Sequence, residues 1–367
     1  MMDLQASASL SLMPHECIPG KIAFRSPSNI ALVKYWGKRE VQIPMNPSVS
    51  FTLSACHTET VLEYAYSDTG KVQVDFYFEQ KANPAFAAKI EKFLESIADA
   101  HPYLRQLKLS IHSHNTFPHS AGIASSASAM SALCLCICEM EKELFGTLQT
   151  PEEFGQKASY LSRLASGSAC RSVYGGLVSW GTVNAPGYEY TSDLYGSPLT
   201  EGIHPEFLTY RDTVIICDPG EKSVSSRAGH ALMNTNPFAQ SRIEQANRNI
   251  VDLFNAMKTN DFDTFCKIVE TEALTLHAMM MTSDPYFILM RPKTLEFIEK
   301  IWEFRKQTGT KLCFTLDAGP NIHLLYPQAE AEKVEKFLET EISVSLPPNS
   351  LIRDFVGTGP VRTNSLT

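Results

Sequence analysis

The chain has 367 residues, of which 44% are hydrophobic and 20% are charged, and this length and composition suit a globular protein of two domains. Its formal net charge of −8 gives no broad basic face, which argues against non-specific nucleic-acid binding. Because no run of about eighteen uncharged apolar residues occurs and residues 1–20 lack the features of a secretion signal, we expect a cytoplasmic protein without a membrane span.

The nine cysteines are scattered without Cys-x-x-Cys pairs, so reduced thiols are the simplest interpretation. Cys134, Cys136 and Cys138 are spaced in a way that resembles a metal cluster. Residues two apart on a helix point in different directions, however, which favours small buried side chains. We therefore predict no structural metal.

Ordered structure is predicted to begin at Lys21, after a loose arm of residues 1–20 in which Ser, Pro and Gly occur without periodicity. Residues 61–79 contain two stretches of mostly alternating polarity around a turn at 68–70. The second stretch places four apolar residues on one face, namely Val72, Val74, Phe76 and Phe78. This period of two predicts a β-hairpin.

A helix is predicted to begin at Asn83 and Pro84, since Asn can cap a helix and Pro can open it. Its apolar residues recur at three- and four-residue intervals: Phe86, Ile90, Phe93, Leu94 and Ile97. Residues 107–111 then alternate between apolar and polar, which predicts a half-buried strand leading into a loop at 115–118.

Further along, residues 124–145 and 151–165 have helical patterns, and the first is so apolar that it should be central to its domain. Strands are predicted at 176–183, 213–218, 311–316 and 321–326, and helices within 237–281 and 291–306. Blocks of strands and helices without regular strand-helix-strand units favour an α+β fold. The linker-like segment 185–204 places a domain boundary near residue 200, which gives an arm (1–20), a first domain (21–200) and a second domain (201–367).

Small residues and a glycine directly precede a predicted helix at 118–127, where the sequence is Pro-His-Ser-Ala-Gly-Ile-Ala-Ser-Ser-Ala. Such a turn exposes backbone N–H groups that, with the positive end of the helix dipole, favour nucleotide phosphates. The alternative is a Ser-capped helix start without a ligand. The full pattern resembles the ATP loop of the GHMP kinases and lacks the Gly-Lys-Ser/Thr of the Walker loop. The resemblance implies an ATP site at Ser120, Ala121, Gly122, Ala124, Ser125 and Ser126.

Four further segments narrow the resemblance to the diphosphomevalonate decarboxylase family of the GHMP kinase superfamily. They are residues 28–40 with 43–53, then 165–176, then 223–233, and finally 314–326. The resemblance covers roughly residues 22–326 and implies a two-domain GHMP kinase-like fold with a cleft between an ATP-binding domain and an α+β domain. It also implies ATP-dependent decarboxylation of mevalonate 5-diphosphate to isopentenyl diphosphate, with ATP as co-substrate, Mg²⁺ bridging its phosphates, and a homodimer.

The segment from Asn29 to Lys38 places polar groups around a predicted strand end, a good position for binding anions. Lysine suits phosphate as a point charge, although a lone surface lysine is usually just solvated. The resemblance implies that Tyr35 and Lys38 hold the diphosphate of the substrate. It places Asn29 and Lys34 beside the reacting carbon.

Residues 166–171 place hydroxyls, exposed backbone and one guanidinium within a short stretch. Arginine matches a carboxylate with two hydrogen bonds, so Arg171 is the candidate for binding the C1 carboxylate of the substrate. The alternative is a helix-breaking turn with a structural ion pair. The resemblance implies substrate contacts from Arg171, Ser166 and Ser168.

Asp317 starts a turn between two apolar strands, a position that is usually structural. The match to the Asp-Ala-Gly-Pro-Asn of the family implies that it is the catalytic carboxylate, which orients and deprotonates the 3-hydroxyl as it attacks the γ-phosphate of ATP. Ser126 joins Asp317, Arg171, Lys34 and Asn29 in the implied catalytic set. Ser125 or Ser126 is the candidate Mg²⁺ ligand, through ATP-bound metal.

Two positions depart from the family pattern. Residues 223–229 match its Ser-Ser-Arg-x-Gly loop, but His230 occupies a position where methionine is commoner, and residues 118–122 replace the more usual Pro-Thr-Ala-Ala-Gly. The competing hypotheses are a phosphomevalonate decarboxylase, a GHMP small-molecule kinase without decarboxylation, and a non-catalytic nucleotide-binding protein.

Overall fold

The computed structural model describes residues 10–13, 18–118, 123–220 and 226–364, with only the backbone described at 226–228. Its β-strands are β1 (Gly20–Val33), β2 (Lys38–Arg39), β3 (Ile43–Pro44), β4 (Ser48–Tyr66), β5 (Gln73–Phe78), β6 (Lys81–Ala82), β7 (Leu107–Asn115), β8 (Leu177–Trp180), β9 (Ser197–Pro198), β10 (Tyr210–Ile215), β11 (Cys313–Leu316), β12 (Ile322–Pro327), β13 (Leu351–Phe355) and β14 (Val361–Thr363). Its α-helices are α1 (Pro84–Ile97), α2 (Ser125–Phe145), α3 (Pro151–Ala165), α4 (Ser226–Leu232), α5 (Ala239–Thr259), α6 (Phe262–Met281), α7 (Pro292–Thr308) and α8 (Ala331–Phe337). A 3-10 helix, Gly167–Val173, follows α3.

A mixed sheet carries most of the first half of the chain. Its described strands lie in the order β14–β1–β4–β7–β5–β6, and β8 pairs with both β4 and β9. β1 and β4 are long, with 14 and 19 residues, and they pair antiparallel along most of β1. Because β1 ends at Val33, the segment 29–38 begins inside this strand and continues beyond it.

The predicted hairpin within 61–79 is wrong, although both of its strands exist. β7 lies between them, antiparallel to β4 and parallel to β5. The alternation of β5 is as predicted, since Val74 and Phe76 are buried. Periodicity identifies a strand and its buried face but not its neighbour. The predicted strand at 107–111 lies between β4 and β5, where its own apolar residues are fully buried.

Helices α1, α2 and α3 pack with this sheet around one hydrophobic core. Asn83 caps α1 as predicted, because its Oδ1 accepts a hydrogen bond from the Phe86 N–H at 3.0 Å. Helix α2 is buried along most of its length, as its apolar sequence predicts. Its cysteines are buried free thiols, which confirms the prediction of small buried side chains at 134, 136 and 138.

The second half of the chain contains an antiparallel sheet whose described strands lie in the order β11–β12–β10–β13. The helical region predicted at 237–281 is two helices, α5 and α6. Asn260 has a left-handed backbone, with φ +57°, and ends α5. Asp261 then caps α6, since its Oδ1 accepts the Thr264 N–H at 3.1 Å.

The two sheets are joined where β13 meets the middle of β4. Leu53 and Val356 form an isolated antiparallel bridge. The buried carboxylate of Asp354 accepts the backbone N–H groups of three successive β4 residues, at 2.8, 2.7 and 2.6 Å from residues 54, 55 and 56. This contact holds the second sheet against the strand that pairs with β1.

Part of the N-terminal arm is packed rather than loose. Leu12 is 5% exposed, and its backbone N–H donates to Gln106 Oε1 at 2.8 Å. The expectation of a loose arm is therefore wrong for residues 10–13. Within the described part of the chain, no helix has both the length and the apolar character that a membrane crossing would need.

Candidate active site

The last part of β1 brings Asn29 into contact with the 3-10 helix. Asn29 Oδ1 accepts hydrogen bonds from Ser50 Oγ at 2.9 Å and from Arg171 Nε at 3.3 Å. Its Nδ2 donates to Ser172 Oγ at 2.8 Å and to the Ser168 carbonyl at 3.3 Å. The buried amide thus fixes Arg171 relative to β1.

The Arg171 guanidinium is buried among neutral acceptors and an aromatic ring. Nη1 donates to Ser48 Oγ, and the Trp180 ring centroid lies 5.9 Å from Cζ. Burial lowers the pKa of Arg171, and interactions with Cys170 and Asp317 oppose this shift. The alternative of a simple structural ion pair is not what these hydrogen bonds show, because both acceptors are uncharged. A buried guanidinium of this kind can bind a carboxylate.

Lys34 follows β1 and its ammonium group is enclosed, with 1% of the residue exposed. Nζ donates to the Ala31 carbonyl at 2.6 Å. Burial lowers the pKa of Lys34 from 10.5 to about 8, and the negative charges of Asp317 and Glu272 oppose this shift. The alternative of a solvated surface lysine is therefore wrong at this position.

Asp317 directly follows β11 in a turn that is anchored on both sides. His277 Nε2 donates to the Asp317 carbonyl at 3.1 Å. Thr294 Oγ1 donates to the Pro320 carbonyl at 2.6 Å. Helices α6 and α7 therefore hold the turn, while the Asp317 residue itself is partly exposed.

The carboxylate of Asp317 acts electrostatically on three ionisable groups that the sequence singles out. It raises the pKa values of Lys34, Arg171 and His230 against the effect of burial. Residues from β1, the 3-10 helix and the end of β11 thus share one electrostatic environment. Such convergence of perturbed groups at one place is typical of a functional site.

Tyr35 packs into an aromatic cluster beside these charges. Its ring centroid lies 4.6 Å from that of Trp180 and 4.3 Å from that of His230, which in turn lies 4.7 Å from that of Trp36. The Tyr35 hydroxyl is buried, and the described residues supply no hydrogen-bond partner for it. Burial raises the pKa of Tyr35, so the hydroxyl is a neutral donor.

Lys38 and His230 flank the turn that follows Tyr35. Lys38 is partly exposed, and its Nζ donates to Gln42 Oε1 at 3.1 Å. The Gly37 N–H donates to His230 Nδ1 at 3.0 Å. Burial, followed by the charge of Lys38, lowers the pKa of His230 to about 3. The imidazole is therefore neutral, as an acceptor at Nδ1 requires.

The predicted phosphate loop is described only in part, because Ser120, Ala121 and Gly122 lie outside the described residues. Ala124 has a left-handed backbone, with φ +43°, immediately before α2. That conformation is uncommon for a residue with a side chain and is often found at functional sites. Ser125, which is partly exposed, and Ser126, which is exposed, form the first turn of α2.

Ser166 and Ser168 lie at the junction between α3 and the 3-10 helix. The Ser166 N–H donates to the Ser162 carbonyl at 2.8 Å, which ends α3. Both serines are partly exposed and adjoin the element that carries Arg171. The family loop at 223–225 lies outside the described residues, as do the side chains at 226–228.

Several polar residues around Lys34 were not predicted. Glu272 on α6 and Arg242 on α5 form a buried ion pair of 2.6 Å that contacts the Lys34 backbone. Asn46 also donates to the Lys34 carbonyl, at 3.0 Å. The sequence does show a charged residue on the otherwise apolar face of each helix, but it does not indicate which group that residue binds.

Family models match both halves of the chain. Residues 26–190 match the diphosphomevalonate decarboxylase-like N-terminal domain, and residues 213–358 match the mevalonate 5-diphosphate decarboxylase C-terminal domain. The two matches together include every described residue assigned above to the site.

Similar proteins of known name include diphosphomevalonate decarboxylases of yeasts. The Schizosaccharomyces pombe protein is 30% identical over 357 residues, which cover 93% of this chain and 86% of that protein. The Debaryomyces hansenii protein is 29% identical over 323 residues, covering 84% of this chain and 80% of that protein.

Solved structures match over nearly the full length. The mevalonate diphosphate decarboxylase of Staphylococcus aureus has a TM-score of 0.80 and 28% identity, with 95% of this chain and 99% of that chain covered. A protein designated MDDEF, in complex with MVAPP, AMPPCP and magnesium, has a TM-score of 0.79 and 27% identity, with 95% of this chain and 100% of that chain covered. These likenesses confirm the predicted α+β, two-domain fold.

Proposed function

The chain belongs to the diphosphomevalonate decarboxylase family, and from this membership we infer that it is an ATP-dependent decarboxylase of mevalonate 5-diphosphate. It converts this substrate to isopentenyl diphosphate, with release of ADP, phosphate and CO2. The observation that carries the inference at the site is the convergence of two buried cations, Lys34 and Arg171, on the environment of Asp317. Buried positive charge suits a small substrate that brings a carboxylate and phosphates.

Asp317 is the proposed base for the phosphoryl transfer. The 3-hydroxyl oxygen attacks the γ-phosphorus of ATP, the bond to the β-phosphate oxygen breaks, and the hydroxyl proton passes to the carboxylate. Two observations support this role: the charge of Asp317 raises the pKa values of Lys34 and Arg171, and its backbone is anchored by His277. In phosphoryl transfer most of the acceleration comes from such positioning and from charge stabilisation.

Arg171 is the proposed ligand of the C1 carboxylate during the second step. The C1–C2 bond breaks with release of CO2, its electron pair forms the C2–C3 double bond, and phosphate leaves C3. Asn29 fixes Arg171 through Oδ1, which supports an alignment of the breaking C–C bond with the leaving phosphate. Lys34, directly after β1, stabilises the negative charge of the departing group.

Tyr35 and Lys38 are the proposed ligands of the diphosphate. The Tyr35 hydroxyl has no hydrogen-bond partner among the described residues, and Lys38 supplies positive charge on the same turn. The hydroxyl groups of Ser166 and Ser168 are proposed to donate hydrogen bonds to the same substrate. Their partial exposure next to Arg171 supports this assignment.

ATP is proposed to bind at the start of α2, where Ala124, Ser125 and Ser126 precede or open the helix. The same proposal includes residues 120–122. Exposed N–H groups at a helix N-terminus favour phosphate, and serine hydroxyl oxygens suit Mg²⁺, which prefers hard oxygen ligands. We propose Ser125 or Ser126 as the protein ligand of the ATP-bound Mg²⁺, and Ser126 as a further contact of the transferred phosphoryl group.

Product analysis tests the function. Purified protein with ATP and Mg²⁺ should release CO2, ADP and phosphate from mevalonate 5-diphosphate. A phosphomevalonate decarboxylase would prefer the monophosphate, a kinase would form ADP without CO2, and a non-catalytic binder would form neither. Family membership does not favour these alternatives.

A substitution tests the carboxylate ligand. Arg171→Gln should lower kcat/KM by at least about 100-fold, because a charge-assisted bidentate contact is lost where it acts in the transition state. An unfolding midpoint measured in parallel separates this loss from instability. A variant with near-normal kcat/KM would contradict the assignment.

Assembly and organisation are proposed on the family resemblance. We propose a homodimer in the cytoplasm, with an arm (1–20), an ATP-binding domain (21–200) and an α+β domain (201–367). Light scattering of the purified chain measures its mass in solution, and a monomer at all accessible concentrations would contradict the dimer.

A further inference from the structure

A buried ion pair from the second half of the chain encloses the peptide group of Lys34. Glu272 Oε2 accepts the Lys34 N–H at 2.9 Å, and Arg242 Nη2 donates to the Lys34 carbonyl at 3.2 Å. Asn46 Nδ2 donates to the same carbonyl at 3.0 Å. Both backbone polar groups of one residue are thus held by side chains from α5, α6 and the segment before β4.

The pair itself is fully buried. Arg242 and Glu272 side chains are each 0% exposed, and the guanidinium binds both carboxylate oxygens, at 3.1 Å through Nη1 and 2.6 Å through Nη2. Asn249 Nδ2 adds a third bond to Glu272 Oε1, at 2.7 Å. A planar guanidinium that binds a carboxylate with two hydrogen bonds fixes orientation as well as distance.

Stability alone gives a weak reason for this arrangement. A fully buried ion pair loses so much hydration that well-packed apolar residues of similar volume often serve the fold equally well. Here, however, one oxygen and one nitrogen of the pair bind the backbone of Lys34, whose ammonium group interacts electrostatically with Asp317 and Arg171. Apolar residues could fill the space but could not hold that peptide group.

We propose that Arg242 and Glu272 are positioning residues for the decarboxylation, which fix the peptide of Lys34 so that its ammonium group reaches the reacting carbon. This inference rests on the proposed function and on the proposed role of Lys34. Two residues on α5 and α6, in the second half of the chain, thus position a group that directly follows β1, in the first half.

The chain offers a matched control on the same helix. Glu270, two residues before Glu272 on α6, pairs with Arg305 at 2.6 Å and accepts a hydrogen bond from Trp302 Nε1 at 2.8 Å. This second pair contacts α7 and β11, and its hydrogen bonds do not involve Lys34. Removing it tests what the loss of an Arg–Glu pair on α6 does by itself.

The experiment compares Arg242→Met/Glu272→Leu with Arg305→Met/Glu270→Leu. Wild-type protein must first release CO2 and ADP from mevalonate 5-diphosphate, since its failure to do so would overturn the proposed function rather than this inference. We expect the first variant to lose about 30-fold or more in kcat, which corresponds to a misplaced catalytic group, and the control to stay within about threefold of wild type. Equal kcat losses in the two variants, or a first variant within about threefold of wild type, would overturn the positioning role.

A third variant, Glu272→Gln, keeps an oxygen for the Lys34 N–H and removes the charge, so it remains informative if the double variant does not fold. The charged groups around Lys34 are Asp317 after β11, Glu272 on α6, Arg171 on the 3-10 helix, Asp212 on β10 and Arg242 on α5. Because Glu272 raises the pKa of Lys34, its neutralisation should move the alkaline limb of kcat/KM to lower pH. A limb that does not move, together with unchanged kcat, would overturn the inference.

Discussion

Replacing Lys34 with methionine should stabilise the folded protein while abolishing its activity. Burial lowers the pKa of Lys34 from 10.5 to about 8, although Asp317 and Glu272 act in the opposite direction. The folded state therefore holds this charge less favourably than water does. A shift of this size corresponds to about 3 kcal/mol at pH 7, where both states are protonated. Loss of the hydrogen bond from Nζ to the Ala31 carbonyl offsets about 1 kcal/mol of the gain.

The sign of the pH dependence follows from proton binding. Between the folded pKa and the unfolded pKa, the unfolded chain binds more protons at Lys34, so wild-type stability rises with pH through this window. The destabilisation attributable to the charge should fall from about 3 kcal/mol at pH 7 to about 1 kcal/mol at pH 10. Lys34→Met should thus exceed wild type by about 2 kcal/mol at pH 7 and equal it near pH 10.

Urea unfolding of both proteins at several pH values measures this difference. Titrating groups that are distant from Lys34 contribute equally to the two proteins, so their contributions cancel in the comparison. Activity of Lys34→Met, measured as CO2 release, should be lower than that of wild type by at least about 100-fold. A variant less stable than wild type at pH 7, or a stability difference that does not change with pH, would refute the account of the buried charge.

Three further predictions concern the proposed base, the turn after β1 and the uptake of protons on substrate binding. Asp317→Asn should lower kcat by about 10²- to 10⁴-fold, as loss of a general base does, and it should also lower the unfolding midpoint, because the charge of Asp317 partly compensates those of Lys34 and Arg171; near-normal ADP release would contradict the assignment. His230→Phe removes the acceptor for the Gly37 N–H and His230→Asn removes the stacking ring, so the KM for mevalonate diphosphate should rise about 2- to 10-fold in each. Unchanged KM values in both variants would exclude a role for His230 in placing this turn. Binding of mevalonate diphosphate should raise the pKa of Lys34, so that about half a proton per site is taken up near pH 8. Calorimetry in buffers of different ionisation enthalpy measures this uptake, and Lys34→Met is the control without it. An absence of proton uptake by the wild-type protein would show that the anion binds elsewhere.

Local signals in the sequence predict most helices and strands because their causes are local. Asn83 caps α1 through the Phe86 N–H, and the alternation of residues 107–111 gives the buried face of β7. The pairing of strands is a different matter. β7 separates β4 from β5, and no feature of the turn at 68–70 could indicate that a later strand lies between them.

The same difference between local and long-range interactions applies to the candidate site. Asn29, Arg171 and Asp317 could be predicted because each lies in a segment with a family pattern, and the structure brings them together with Lys34. Glu272 could not be predicted, since its hydrogen bond to Lys34 joins residues 238 positions apart in the chain. A single sequence contains the polar residue on the apolar helix face but not the backbone group that it binds.

Buried charge gives a physical reason for the composition of this site. Lys34 and Arg171 are both held where burial lowers their pKa values, so each reduces the stability of the folded protein. Asp317 compensates them only in part, because one carboxylate acts on two buried cations. Selection for stability alone would favour apolar residues at both positions. A substrate that carries a carboxylate and a diphosphate brings negative charge to these buried cations when it binds, so the unfavourable burial of Lys34 and Arg171 becomes attraction for that substrate.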